Sequence, residues 1–334
     1  MNPGKQGARR WPGATIALGV SLSLLYVGGL HGQEGTAEID LNTMYLKDQS
    51  VVPAYEGWWQ NEDGTYDLFY GYMNLNWEQE LDVTVGPDNY FAFVDPASGD
   101  RPVYDPSVAD RGQPTHLYPR RNPFLFTVRV PEDFGDQELV WTLTANGRTH
   151  RVYGHLALAY GIDPQTISTE TGGAYGSLAD ALRTNIPPEL RVEGDMQVSV
   201  QTGEPLTLVA FASDPDNLPE RELRGMPETL EDLYQPFGGS VVRSQPGLWM
   251  SWMVYRGSAG EVTFDPTQMK TWMDTRHYAN SPWSPPYVQV PEPPPDGRWV
   301  TQMTFDEPGE YVLRAVARDG AMFTYEDVAV TVTR

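Results

Sequence analysis

The sequence predicts an all-β protein of two β-sandwich, immunoglobulin-like domains joined by a short linker that contains a helix. Three observations carry this. Period-two alternation of apolar residues recurs in short runs, as in Leu139, Trp141 and Leu143 against Val140, Thr142 and Thr144. The chain is densely punctuated, with 32 glycines and 29 prolines in 334 residues, which suits many turns and short strands better than long helices. Hydrophobic residues make up 40% and aromatics 12%, enough to bury a real core over two domains.

The first 32 residues read as an export signal. Lys5, Arg9 and Arg10 form a basic start, an apolar stretch runs from Ala14 to Leu30, and no acidic residue precedes Glu34. An uncleaved anchor is the competing reading, since the stretch approaches the length of a membrane span. Loss of the three basic residues takes the formal charge from −22 to −25. No other long apolar run exists, so no span is expected in the mature chain, which is placed outside the cell, in the periplasm or on the cell surface.

Residues 33–52 form a polar lead-in. The first domain is expected over 53–163. Tyr66, Leu68, Tyr70 and Tyr72 alternate with Asp67, Phe69, Gly71 and Met73, and the turn Asn61-Glu62-Asp63-Gly64 before them predicts a hairpin. Short strands are expected at Leu81–Val85 and Phe124–Val130, with a long surface loop from Pro87 to Pro114. Asn146-Gly147 between two alternating runs predicts a type I′ hairpin. Residues 164–195 form the linker. There Ser177 and Asp180 suggest a capping box ahead of Leu178, Ala181 and Leu182, and Pro187-Pro188 start a stiff boundary.

The second domain is expected over 196–334, with insertions at 218–245 and 280–297. Strands are expected at Met196–Val200, Pro205–Ala212, Leu248–Tyr255, Val262–Phe264, Trp299–Phe305, Gly309–Arg318 and Asp327–Thr333. The run Pro205-Leu-Thr-Leu-Val-Ala-Phe-Ala-Ser-Asp-Pro-Asp-Asn217 resembles the opening of bacterial extracellular immunoglobulin-like modules of the PKD or cadherin-like kind. Phe305-Asp-Glu-Pro-Gly-Glu-Tyr-Val-Leu-Arg-Ala-Val-Ala-Arg-Asp-Gly320 and Val328–Thr333 are similar to their ending. The resemblance implies a sandwich in which Trp252 is the buried strand-C tryptophan. It covers 196–334, and the two insertions depart from it.

The charge excludes some partners. With 23 Lys+Arg against 45 Asp+Glu, the chain repels phosphate backbones and anionic membranes, so nucleic acid is not expected. The absence of cysteine removes disulfides, thiolate metal sites and cysteine nucleophiles. No cofactor is required by any motif. Calcium is the one candidate ion, because Asp214, Asp216 and Asn217 place three oxygen side chains close together and Asp319 lies in a second turn. The competing reading of Ser-Asp-Pro-Asp-Asn is a turn held by its own side chains.

Aromatic residues supply the candidate ligand surfaces. Trp58, Trp59 and Trp77 crowd one hairpin, although adjacent tryptophans on a strand point to opposite faces. Trp272, Trp283 and Tyr287 lie in or near a Pro-rich insertion, a composition suited to an interface. Arg120-Arg121 offers an anion clamp. His150 and His155 fall on opposite faces of a strand, and His116 and His277 stand apart in sequence. No H-E-x-x-H or G-x-S-x-G is present, and Gly172-Gly173 lacks the frame of a nucleotide loop. The function these features favour is a non-catalytic, exported binding or adhesion protein that recognises a glycan or an exported protein. The alternatives are a structural accessory subunit of an exported assembly and, less favoured, a secreted hydrolase.

Overall fold

The computed structural model describes residues 46–170, 180–218, 247–257, 262–268 and 291–334. The export signal, the capping box at Ser177 and most of both insertions lie outside these residues. The N-terminal half carries β1 (Val51–Gln60), β2 (Tyr66–Asn74), β3 (Leu81–Asp82), β4 (Asn89–Val94), β5 (His116–Leu117), β6 (Arg120–Val130), β7 (Glu138–Ala145) and β8 (Arg148–Gly154). A short helix, α1 (Pro164–Glu170), and a 3-10 turn (Asp180–Thr184) follow. The C-terminal half carries β9 (Glu189–Val192), β10 (Gln197–Gln201), β11 (Leu206–Ser213), β12 (Trp249–Arg256), β13 (Val262–Asp265), β14 (Arg298–Phe305), β15 (Gly309–Arg318) and β16 (Phe323–Thr333). The all-β expectation holds. Among the described residues no helix is long and apolar enough to cross a membrane.

The first sandwich stacks β1-β2-β6 on β4-β7-β8. Its two predicted hairpins are present: Gln60 pairs with Tyr66, and Ala145 pairs with Arg148. Asn146 and Gly147 both have positive φ, as a type I′ turn requires. Between the sheets, Trp141 stacks on Phe91 and stands edge-on to Tyr70 and Phe126. The second sandwich stacks β10-β16-β15-β12 on β13-β14-β11-β9, with β10 parallel to β16 and the other neighbours antiparallel. Trp252 is buried in its core with Leu313, Val328 and Phe305, as the resemblance implied.

Two local expectations are corrected. The loop over 87–114 contains β4, which pairs with β7 along its full length; its Asn89-Tyr-Phe-Ala-Phe-Val run is short and follows a proline and an aspartate that read as turn. Residues 189–192 are not boundary but β9, the edge strand beside β11; Leu190 and Val192 face the core while Glu189 and Arg191 alternate outward. A further short helix, α1, precedes the expected one: Asp163 Oδ1 accepts from Thr166 N at 2.8 Å and caps its first turn, while the described part of the expected helix is the 3-10 turn Asp180–Thr184.

The two sandwiches share a core. Strand β2 is apolar on both faces and buried on both. Tyr70 points to Phe91 and Trp141, whereas Phe69 meets Phe124 and, across the junction, Phe323. Strand β12 behaves the same way, with Met250, Trp252 and Val254 in its own sandwich and Met253 and Tyr255 in the core of the first. β12 is the edge of its sheet, and unpaired strand edges invite aggregation. Here residues 112–118 cover it. Thr115 N donates to Tyr255 O at 3.1 Å, Val254 N to Tyr118 Oη at 2.9 Å and Gly257 N to Thr115 Oγ1 at 3.2 Å, while Tyr255 Oη donates to Gly112 O. Arg256 grips Asp110 through both terminal nitrogens and donates Nε to Gln113 O. The end of the expected surface loop is therefore an interdomain clamp. Residues 44–334 cluster as one compact unit.

Candidate functional site

The aromatic residues of the first hairpin are occupied by neighbours in their own sandwich. Trp58 Nε1 donates to Ala157 O at 3.0 Å, and its ring stands edge-on to Tyr66. Trp59, on the opposite side of β1, meets Phe69 edge-on with ring centroids 4.4 Å apart. Trp77 lies under the Arg120 guanidinium at 4.3 Å. The three do not form one flat face. The segment after β8 is held close against β1: Ile162 N donates to Trp58 O at 2.9 Å. Gly57 permits this approach, because its φ is +135° and a Cβ there would stand 2.5 Å from Ile162 Cγ2. Sequence reading missed the ledge this creates, where Tyr160 stacks on Tyr55 and meets His155 edge-on, with Leu158 89% exposed beside it. Trp272, Trp283 and Tyr287 lie outside the described residues.

The arginine pair is also committed internally. Arg121 makes a two-pronged pair with Glu56 at 2.6 and 2.7 Å, and Arg120 Nη1 donates to Leu75 O. His116 does not stand apart: its two ring nitrogens contact Asp82 at 2.6 Å and Glu80 at 2.8 Å. Burial opposes its charge, but the hydrogen bonds and charges of Asp82 and Glu80 outweigh burial and raise its pKa to about 9. A folded-state pKa above the unfolded value of ~6.5 gives stability that is complete below pH ~6.5 and lost as pH rises through about 9, worth about 2–3 kcal/mol. Urea unfolding at pH 6 and pH 9.5 should show His116→Gln losing that much of the wild-type difference. An unchanged difference would refute the assignment.

The acidic residues gather at one end of the second sandwich. Asp214 Oδ1 accepts from Asn217 N at 3.1 Å, and Asp216 accepts from Leu218 N at 3.0 Å and Ile186 N at 2.7 Å. The bonds from Asn217 N and Leu218 N are the local turn bonds expected of Asp-Pro-Asp-Asn, whereas that from Ile186 N ties the turn to the segment before β9. Asn217 enters through its backbone, with φ of 52°. Asp319 Oδ1 accepts from Ala321 N at 2.6 Å and Met322 N at 2.7 Å, fixing the β15–β16 turn. Burial pushes the Asp214 carboxyl up to about 6, helped by the hydrogen bond and charge of Asp216. Burial likewise pushes Asp319 up to about 7, with the charge of Asp214 adding to it and the two turn N–H groups opposing it. Asn185, which sequence reading did not single out, lies beside Asp319 and donates Nδ2 to Leu218 O. Among the described residues no group of three or more His, Asp or Glu side chains is arranged to hold a metal; both Asp216 oxygens are already accepting backbone N–H groups.

No protein-family model and no curated protein matches this chain. Solved structures similar to it include a chimeric titin Z1Z2 functionalized with a KLER peptide from decorin, at 9% identity and a TM-score of 0.21, covering 86% of this chain and 99% of that one. The Yersinia pseudotuberculosis adhesin InvE is similar at 11% identity and a TM-score of 0.22, over 85% of this chain and 58% of that one. The D00-D0 domain of Intimin is similar at 10% identity and a TM-score of 0.22, over 85% and 100%. Likeness at this level carries no functional argument, and the fold stands on the strand pairing itself.

Proposed function

We propose that this chain is an exported, non-catalytic binding or adhesion module that recognises a glycan or an exported protein through the aromatic segments of its second, PKD- or cadherin-like sandwich. One observation supports this reading above the others. β11 and β13 both run antiparallel to β14, toward its start: Phe211 pairs with Arg298 at the first residue of β14, and β13 ends at Asp265, paired with Gln302 midway along it. The two long insertions of the sequence follow β11 and β13, and the second carries Trp272, Trp283 and Tyr287. Loops clustered at a sandwich end and held by a rigid scaffold are the usual placement for recognition. The fused core supplies that rigidity.

The test is retention of residues 33–334 on a panel of immobilised polysaccharides and exported-protein fractions, beside a Trp283→Ala/Tyr287→Ala variant. Retention by the wild type and at least tenfold weaker retention by the variant are expected. Equal retention by both would move recognition away from these segments, and no retention on any surface would overturn the reading.

A further inference from the structure

Of the two arginines that the sequence offers as an anion clamp, Arg121 is neutralised by Glu56 and Arg120 is not. Arg120 opens β6 and is partly buried, with its guanidinium carbon 4.3 Å from the centroid of the Trp77 ring. Its Nη1 donates to Leu75 O at 3.1 Å. Among the described residues no carboxylate pairs with it, and its Nε and Nη2 meet no acceptor. Burial holds the group below the ordinary arginine value, and no neighbouring negative charge offsets that effect. Elsewhere the chain answers such a charge: Arg256 holds Asp110 and Arg314 holds Asp327, each through two nitrogens.

The backbone supplies a second observation. Arg120 has φ of 66°, in the left-handed region that a residue with a Cβ seldom occupies. Such outliers persist only where their surroundings enforce them, and they gather at ligand sites. Here the chain entering β6 is held on both sides: Tyr118 N donates to Tyr72 Oη at 2.8 Å, and Asn122 Nδ2 donates to Tyr118 O and Arg120 O. The contact with Trp77 is favourable in itself, but it leaves Nε and Nη2 without an oxygen acceptor. What a partly desolvated guanidinium takes in that fork is a planar oxyanion, and a carboxylate fits it with two parallel hydrogen bonds.

We propose that Arg120 and Trp77 form a binding site for the carboxylate of a sugar acid. The guanidinium receives the carboxylate, and the indole beside it receives the apolar face of the sugar ring. The class of ligand follows from charge. With 45 Asp+Glu against 23 Lys+Arg, the chain repels polyanions, so an acidic peptide or a long polyuronate approaches against the field of the whole protein. A ligand with one carboxylate meets far less of that repulsion, and one unanswered arginine matches one carboxylate. The site joins the turn after β2 to the start of β6 in the first sandwich. It is independent of the recognition proposed above for segments of the second sandwich.

The test uses purified residues 33–334 and small probes: the methyl glycosides of glucuronate and galacturonate, methyl glucoside, and N-acetylglycine as a peptide carboxylate. Titration calorimetry should find at least one uronide bound at about 1 mM, the affinity that ligand efficiency allows a single sugar ring. The neutral glucoside and N-acetylglycine should each bind at least tenfold more weakly. Arg120→Asn places a residue that tolerates left-handed backbone and so keeps the fold; it should abolish the preference for the uronide over the glucoside. Should that variant misfold, Arg120→Lys keeps the charge without the fork, and severalfold weaker uronide binding is expected of it. The Trp283→Ala/Tyr287→Ala variant should bind the uronide as the wild type does, which separates failure of this site from failure of the recognition proposed above. Absence of binding by both uronides would overturn the site. So would equal uronide binding by the wild type and the Arg120 variants, and N-acetylglycine bound as tightly as the uronide would show a peptide carboxylate site instead.

Discussion

Asp327→Ala is expected to destabilise the protein by about 3 kcal/mol, and by more than Arg314→Met at the partner position. Arg314 is 4% exposed and lies at the junction of the two sandwiches. Its guanidinium sits between the rings of Tyr255 and Tyr325, at 3.4 and 3.9 Å. It bonds both Asp327 oxygens at 2.7 Å and donates Nη1 to Leu125 O of the first sandwich at 3.1 Å. Burial works against the charge, and Tyr255 and Asp327 outweigh it, holding the group above its ordinary pKa. Removal of Asp327 strands a buried cation that cannot deprotonate. Removal of Arg314 leaves Asp327 with 37% of its side chain exposed, free to turn to water, at a cost of about 2 kcal/mol from the lost stacking and the orphaned Leu125 carbonyl. Urea unfolding of both variants checks the order. Costs below about 1 kcal/mol for both, or the reverse order, would show that the junction does not depend on this pair.

The shared core that makes Arg314 central was partly visible in the sequence. A strand covered on one face alternates apolar with polar, whereas one covered on both faces reads apolar throughout. Leu68-Phe69-Tyr70 in β2 and Trp252 to Tyr255 in β12 both read that way, and both lie between two layers. The period identified these runs as strands, and the missing polar face was the trace of the second layer. Other features left no such trace. Gln113 and Thr115 are polar residues in a Pro- and Asp-rich stretch, which reads as surface; they are buried because Gln113 is met by Ala109 and Asn89 of its own sandwich and Thr115 by Tyr255 and Gly257 from the distant second one. In the acidic site, Asp214 and Asp319 were legible because turn-forming motifs announce carboxylates at a sandwich end. Asn185 was not, since its place beside Asp319 depends on how the chain returns between the sandwiches.

Asn89 is the sharpest case of a residue whose weight only tertiary structure reveals, and Asn89→Ala is expected to cost about 4 kcal/mol. The side chain is fully buried at the start of β4. Its Nδ2 donates to Val83 O at 2.8 Å and Pro114 O at 2.9 Å, and its Oδ1 accepts from the indole Nε1 of Trp141 at 2.9 Å. It thus ties three parts of the first sandwich: the residues after β3, the segment that enters the interdomain clamp, and the central tryptophan of the core. Alanine would leave two carbonyls and an indole N–H buried without partners, each worth about 1–3 kcal/mol, and the sum falls short of additivity because the region can relax. Two controls separate this from simple loss of volume. Trp141→Phe leaves only the Asn89 oxygen unmet and the Trp volume partly filled, so about 1–2 kcal/mol is expected. Asn89→Asp keeps the acceptor for Trp141 but removes the donor and buries a charge, so it should cost at least as much as alanine. Thermal or urea unfolding of the three variants checks the ranking. If Asn89→Ala cost no more than Trp141→Phe, the two carbonyls would have found other donors, and Asn89 would be a packing residue rather than the tie between the core and the clamp.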